Sequence, residues 1–143
     1  MTDLQTVLAK YPGAETFRFG DNSDLSEYLI SLVIAGKKTA TCGAASFFEG
    51  EGGDALPVAG RRDIALHWNG EPAVVIETTS VKRCRFCDVS EDFALSEGEN
   101  ETREGWARDH QRFFERNGGF DPRMELICER FKVVEVLGGN PAD

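Results

Sequence analysis

A short polar segment near residue 38 carries the residues of this chain best suited to chemistry. Residues 35–41 read Ala-Gly-Lys-Lys-Thr-Ala-Thr, so two amines and two threonine hydroxyls fall within seven positions. A lysine beside a threonine hydroxyl can act as the base for a nucleophile, which is the pair needed to cleave an amide. Such a base works only if burial or nearby positive charge lowers the pKa of the lysine. The spacing alone also suits a structural turn without catalysis.

The elements on either side of this segment would hold it in place. Apolar residues recur at the spacing of one helical face over residues 25–33, which predicts a helix from about residue 23. Gly36 supplies the backbone freedom that commonly ends a helix. Thr39 and Thr41 then show the β-branched, alternating pattern of a strand. The sequence therefore predicts a helix–strand junction that presents Lys38 and Thr41 together.

Periodicity and turn residues predict the remaining elements. Further helices are predicted over residues 3–10, 90–97 and 102–117. Strands are predicted over residues 63–68, 73–84 and 126–136, with Asn69-Gly70 as a hairpin turn between the first two. The glycine-rich stretch 43–60 is predicted to be a long loop. These elements predict an α+β fold with a mixed, mostly antiparallel sheet, in a single domain over residues 1–143.

The charge of the chain limits its partners. A formal net charge of −9 repels polyanions, so we expect no binding to duplex DNA. Positive charge is nevertheless grouped in three places, at Lys37 and Lys38, at Arg61 and Arg62, and within residues 82–85. If these groups converge, they suit a nucleoside or another small ligand. The sequence contains no export signal and no membrane span, which predicts a cytoplasmic protein without a membrane partner.

The four cysteines are expected to be reduced thiols. Cys84 and Cys87 form a CxxC pair, whereas Cys42 and Cys128 are isolated in sequence. A zinc site requires a second close pair or a histidine at ligand spacing, and neither is present. We therefore predict no metal, no disulfide and no cofactor.

Several segments taken together resemble the ASCH domain family, whose members have a PUA-like β-barrel with flanking helices. The family motif Gly-x-Lys-x-x-Thr after the first long helix is matched by Gly36, Lys38 and Thr41. The resemblance covers residues 17–137, and its other matching segments are residues 81–83, 86–89, 93–99, 106, 110, 113–114 and 128–131. It implies a PUA-like, mostly antiparallel barrel that binds a nucleoside or short single-stranded RNA.

The resemblance also implies a catalytic set. Some family members resemble amidohydrolases that remove the acetyl group from N4-acetylcytidine with a Lys, a Thr and a Glu. These roles fall on Lys38, Thr41 and Glu97 of this chain. Lys38 would be the base for Thr41, and Glu97 would hold the lysine or protonate the leaving amine. Other members are ribonucleases or non-catalytic RNA-binding modules, and both alternatives stay open.

A second group of residues is expected to surround this set and bind the substrate. Its members are Gly36, Lys37, Thr39, Arg61, Arg62, Trp106 and His110. The positive charges of Lys37, Arg61 or Arg62 would lower the pKa of Lys38. Trp106 could stack on a base and His110 could line the pocket, although an aromatic helix face belongs more often to the core. Lys38, at the mouth of a turn, is expected to contribute little to stability.

Overall fold

The chain folds into a five-stranded sheet flanked by four helices, and a computed structural model describes residues 3–48 and 56–138. The helices are α1 (Leu4–Lys10), α2 (Ser23–Ile34), α3 (Glu91–Ser96) and α4 (Arg103–Arg116). The strands are β1 (Glu15–Phe17), β2 (Ala40–Ala44), β3 (Arg62–Leu66), β4 (Pro72–Arg85) and β5 (Glu125–Val136). None of the helices in these described ranges is long and apolar enough to cross a membrane.

The strand order in the sheet is β1-β3-β4-β5-β2. β1 runs parallel to β3, and the other three neighbouring pairs are antiparallel. The sheet curls into a half-barrel. The predicted α+β class with a mixed, mostly antiparallel sheet is therefore confirmed.

The boundaries of the predicted elements agree with the structure to within a few residues. Asn69-Gly70 joins β3 to β4, and Gly70 has the positive φ of +94° that this tight turn requires. β1 was not predicted, because three residues are too short for a periodic pattern. The loop predicted over 43–60 begins later, since β2 continues to Ala44 and a 3₁₀ turn follows over Ala45–Phe47. Residues 49–55 of that loop lie outside the described residues.

Side-chain caps fix where three of the helices begin. Asn22, Ser90 and Thr102 each accept a hydrogen bond from the backbone N–H three residues later, at the start of α2, α3 and α4 respectively. Each bond satisfies a backbone donor that has no partner within the helix. Because Ser90 fixes the start of the short helix α3, it also fixes the position of Glu97 just beyond its end.

Two of the three apolar clusters among the described residues hold α2, α3 and α4 against the sheet. Leu29 and Val33 of α2 pack in one cluster with Phe131 of β5. Trp106 and Phe114 of α4 pack in another with Phe86, whose ring stacks on that of Trp106 at a centroid distance of 5.1 Å. These contacts bring the α2–β2 connection and the α3–α4 connection to the same region of the fold.

Gly98 controls how closely these two connections approach. It has a φ of +78°, and a Cβ atom at this position would overlap the carbonyl group of Lys37 and lie 2.9 Å from Lys38 N. Backbone atoms cannot move aside as a flexible side chain can. We therefore expect that only glycine allows the segment after α3 to pass this close to the turn after α2.

Gly98→Ala is predicted to destabilise the fold by about 4 kcal/mol or more, because it adds a backbone clash to the penalty of a left-handed conformation. Gly36→Ala is the matched control, since Gly36 has the same φ of +78° but a Cβ atom added there would have no atom within 4 Å. The control should cost about 1–2 kcal/mol. Urea denaturation measures both values, and equal costs would contradict the close approach.

Candidate functional site

The side chain of Lys38 is buried, with only 2% of the residue exposed. Its backbone N–H donates to the carbonyl of Leu32 at 3.1 Å, which continues the hydrogen bonding of the helix end. Its ammonium group donates to Glu97 Oε1 at 3.1 Å and to Glu99 Oε2 at 2.9 Å. A third contact, to the carbonyl oxygen of Glu97, is longer at 3.5 Å. Lys38 therefore joins the turn after α2 to the segment after α3.

Glu97 is the centre of this cluster and is itself 1% exposed. While Oε1 accepts from Lys38, Oε2 accepts from Trp106 Nε1 at 2.6 Å and from the Cys42 thiol at 3.4 Å. His110 Nε2 also lies 3.4 Å from Oε2. Burial alone raises the pKa of Glu97, but the charge of Lys38 and the hydrogen bonds outweigh it and lower the pKa to about 2. Glu97 is therefore a carboxylate at any physiological pH.

The predicted lowering of the Lys38 pKa is wrong. Burial lowers the pKa of this amine, but the negative charges of Glu97 and Glu99 outweigh burial, so that the pKa is raised. At neutral pH Lys38 is an ammonium ion without a lone pair, so it is not a base in the resting protein.

The arginines expected to lower that pKa are engaged elsewhere. Arg61 forms an ion pair with Asp63 at 2.8 Å and lines a neighbouring cavity. Arg62 pairs with Glu77 at 3.0 Å and lines neither that cavity nor the one beside Lys38. They do not converge on Lys38.

The other residues of the turn that were expected to bind substrate lie outside the cavity beside Lys38. Lys37 is exposed, and the Thr39 hydroxyl donates to the carbonyl of Ser96 at 3.2 Å. Gly36 has the positive φ of +78° that ends α2. None of the three lines the cavity beside Lys38. Thr39 thereby ties the turn to the end of α3, and Gly36 ends α2.

A cavity of about 370 Å³ opens beside the Lys38–Glu97 pair. Its polar lining includes Lys38, Thr41, Glu97, Glu99 and His110. Among the described residues, Thr41 Oγ1 has no hydrogen-bond partner. The structure thus brings the three residues of the predicted catalytic set around one cavity and leaves the hydroxyl of Thr41 available to a ligand.

The two aromatic residues of the predicted set support Glu97. Trp106 is fully buried and uses its N–H on Glu97, so it offers no ring face to a ligand. His110 lies against the Trp106 ring at a centroid distance of 4.5 Å, and its Nδ1 contacts the Trp106 carbonyl at 2.9 Å. Burial lowers the pKa of His110, but Glu97 and Glu99 outweigh it and raise the pKa above its usual value. Of the two, only His110 reaches the cavity.

Sequence analysis missed two members of the cluster. The acidic run around Glu99 is typical of an exposed face, yet the Glu99 side chain is only 17% exposed and pairs with Lys38. Cys42 is isolated in sequence, as a structural thiol would be, yet it donates to Glu97. One feature of the sequence could have indicated the role of Glu99. Glu97 and Glu99 flank a glycine at i, i+2 spacing, and a turn at that glycine can direct both carboxylates towards the same cation.

Cys42, Glu97 and His110 each offer one ligand atom, and these three atoms lie within 4.8 Å of one another. A divalent cation requires such atoms to be deprotonated and free. The second oxygen of Glu97 already accepts from Trp106, and burial raises the pKa of the Cys42 thiol well above its usual value. The ammonium of Lys38 adds a positive charge beside the same carboxylate. The donor set therefore fits a network that holds protons better than one that holds a metal ion.

Comparison with known proteins identifies the family. The family model described as the ASCH domain matches residues 15–135. The chain therefore belongs to the ASCH domain family, which has a PUA-like fold.

Two solved structures are similar to the chain over most of its length. An ASCH domain from Lactobacillus crispatus JV V101 is 32% identical with a TM-score of 0.79, and the match covers 91% of this chain and 85% of that one. A protein from Enterococcus faecalis V583 is 34% identical with a TM-score of 0.79, covering 92% and 85%. No curated protein matches the chain.

Lys38→Ala is predicted to destabilise the protein by about 3–5 kcal/mol, because it leaves Glu97 buried without its counter-charge. This reverses the small cost expected from the sequence. Lys37→Ala is the matched control, since this neighbour is exposed and should change stability by about 0.5 kcal/mol or less. The free energy of unfolding in urea measures both, and a cost for Lys38→Ala as small as that of the control would show that the pair is not essential.

His110 is predicted to stabilise the fold most in acid. Because its pKa in the folded protein is raised above 6.5, its contribution is complete below about pH 6.5 and is lost as the pH rises through the raised value. The stability difference between wild type and His110→Gln should therefore shrink between pH 5.5 and pH 9. Denaturation across this range, with NMR titration of the imidazole, tests the direction of this pH dependence. A difference that grows with pH would contradict it.

Proposed function

We propose that this ASCH domain hydrolyses the amide of an acylated nucleoside such as N4-acetylcytidine. The observation that carries the proposal is the cavity in which the unbonded hydroxyl of Thr41 lies with the ammonium of Lys38. Its volume of about 370 Å³ falls within the range of small-molecule sites. The negative charge of the chain, −9, also favours a small ligand over a long polyanion.

Thr41 is the nucleophile in this proposal. Its Oγ1 attacks the carbonyl carbon of the acyl group, and negative charge then develops on the carbonyl oxygen. Lys38 is suited to stabilise that oxygen, because it is a fixed cation in a site of low dielectric. Its longest hydrogen bond, 3.5 Å to the Glu97 carbonyl, is the one that would be exchanged for the substrate.

Glu99 is the proposed proton acceptor, in the role first assigned to Lys38. Its Oε2 is bound to Lys38, whereas Oε1 has no partner among the described residues. Glu99 lines the same cavity as Thr41 and is the more exposed of the two carboxylates. It can take the proton from Thr41 and return it to the leaving nitrogen, which leaves the acyl group as an ester on Thr41. A water molecule then attacks this ester and gives its proton to Glu99, which passes it back to Thr41 Oγ1 as the carboxylic acid is released. Glu97 is left to fix Lys38, since its low pKa of about 2 makes it a poor base.

A non-catalytic pocket for single-stranded RNA is the second candidate. The observation that favours it is that Lys38 is an ammonium ion paired with two carboxylates, so that it can donate a hydrogen bond to a ligand but cannot act as the base first assigned to it. In that case an unpaired nucleotide would enter the cavity and Thr41 would donate a hydrogen bond to it.

Thr41→Val is predicted to reduce hydrolysis of N4-acetylcytidine about 10³-fold or more, because it replaces the nucleophilic hydroxyl with a methyl group of similar shape. Thr41→Ser keeps the hydroxyl and should retain part of the activity. Release of cytidine, followed by mass spectrometry, measures both.

Two outcomes would count against this assignment. Equal rates for Thr41→Val and wild type would remove Thr41 from the reaction. Binding of cytidine or of a short oligonucleotide without any hydrolysis by the wild type would favour the RNA-binding candidate.

A further inference from the structure

The cleft continues beyond Thr41 into a second cavity of about 340 Å³. Both cavities are lined by Phe19, Thr41, Cys42 and Phe113, so they are adjacent lobes of one cleft. We call the cavity beside Lys38 the first lobe and this cavity the second lobe. The hydroxyl proposed as the nucleophile therefore lies where the two lobes meet.

Two carboxylates of the second lobe, Glu15 and Glu129, keep an oxygen for a ligand among the described residues, and Glu129 is the one that is not exposed. Thr78 Oγ1 donates to Glu129 Oε2 at 2.7 Å, and the hydrogen bonds of the described residues leave Oε1 unused. Asp63 differs, because it accepts from Arg61 Nε at 2.8 Å and from the backbone N–H of Glu15 at 3.3 Å, one bond to each oxygen. Burial raises the pKa of Glu129, so a hydrogen bond from a ligand would offset the cost of its desolvation.

The register of the sheet places Glu129 beside the proposed nucleophile. In the antiparallel pairing of β2 with β5, Thr41 is the direct partner of Glu129. Directly opposite residues on neighbouring strands point to the same face, with their Cβ atoms about 4.5–5.5 Å apart. Both side chains also line the second lobe. A group bonded to the carbon that Thr41 attacks would therefore come within reach of Glu129.

We propose that the second lobe holds the pyrimidine ring of the substrate and that Glu129 accepts a hydrogen bond from N4–H at the ring edge. This inference rests on the proposed amide hydrolysis. In an N4-acylated cytosine the nitrogen of the scissile amide is attached directly to the ring. With the acyl oxygen directed to Lys38 in the first lobe, the ring must lie on the other side of Thr41.

The lining of the second lobe suits a pyrimidine. Carboxylates accept hydrogen bonds from the exocyclic amino group of cytosine. Phe48 and Phe113 line the same lobe and can contact the faces of the ring. Glu129 is thus assigned to binding and orienting the substrate through its leaving nitrogen, whereas Thr41, Lys38 and Glu99 are the groups proposed to carry out the bond changes.

Calorimetric binding of cytidine tests the assignment without requiring catalysis. Glu129→Gln keeps the shape of the side chain but removes its charge, and should raise the Kd for cytidine about tenfold or more. The KM for N4-acetylcytidine should rise by a similar factor. Because N4 is also the leaving nitrogen, kcat is expected to fall as well, so the assignment is judged on Kd and KM. The matched control is Glu125→Gln, an exposed glutamate of the same strand that pairs with Arg83. The control should bind cytidine as the wild type does.

The outcomes separate this inference from the proposed function. If the wild type hydrolyses N4-acetylcytidine and Glu129→Gln leaves KM and Kd unchanged, the assignment of Glu129 is wrong and the hydrolysis stands. If Glu129→Gln weakens cytidine binding but the wild type does not hydrolyse, the second lobe is a pyrimidine site and the proposed function is wrong. Absence of both cytidine binding and hydrolysis in the wild type overturns both.

A second measurement covers the case in which Glu129→Gln does not fold. Cytidine added to the ¹⁵N-labelled wild type should shift the backbone amide signals of Gly43, Asp63 and Glu129, which line the second lobe. Shifts confined to Asp109, His110 and Arg112, which line the first lobe alone, would overturn the assignment.

Discussion

The buried ion pair between Lys38 and Glu97 is the interaction on which the rest of the site depends. These residues are 59 positions apart, and both are almost completely removed from water. Taking two charges out of water costs several kcal/mol per ion, and only close pairing with further hydrogen bonds offsets that cost. The turn after α2, the segment after α3 and the aromatic face of α4 must therefore meet in one arrangement. Gly98 makes the approach possible, and Trp106 completes the hydrogen bonding of the carboxylate.

The same pair decides which chemistry the groups can do. Mutual attraction raises the pKa of Lys38 and lowers that of Glu97, so each is held in its charged form. A group held charged in this way is a poor proton carrier but a good fixed charge. The proton transfers of the proposed reaction accordingly fall on groups at the edge of the network, Thr41 and Glu99. The centre of the network is left to provide electrostatic stabilisation.

The cleft divides the proposed functions between the two lobes that meet at Thr41. Thr41 lines both lobes, of which the first also holds the ammonium of Lys38 and the second holds Glu129, the partner of Thr41 in the pairing of β2 with β5. An acyl oxygen needs positive charge and a cytosine edge needs an acceptor, so the two lobes are chemically suited to the two halves of one substrate. The overall negative charge of the chain is compatible with this, since recognition takes place inside a cleft.

The sequence by itself determined the features that arise from local pattern. Helical spacing predicted α2 and α4, and the Asn69-Gly70 turn predicted the β3–β4 hairpin. Lys38 and Thr41 were expected to lie close together because they are only three positions apart in the chain. Glu97 was found through family resemblance and not through spacing, since no local rule connects residues 59 positions apart.

Only the tertiary structure decided the direction in which the pKa of Lys38 shifts, the burial of Glu99 beside it, and the separation of Arg61 and Arg62 from Lys38. It also decided that Glu129 lies opposite Thr41, through the register of β2 against β5. The physical reason is common to all of these. A pKa and a strand register depend on which distant groups meet in a medium of low dielectric, and sequence periodicity specifies a face of an element but not its partner.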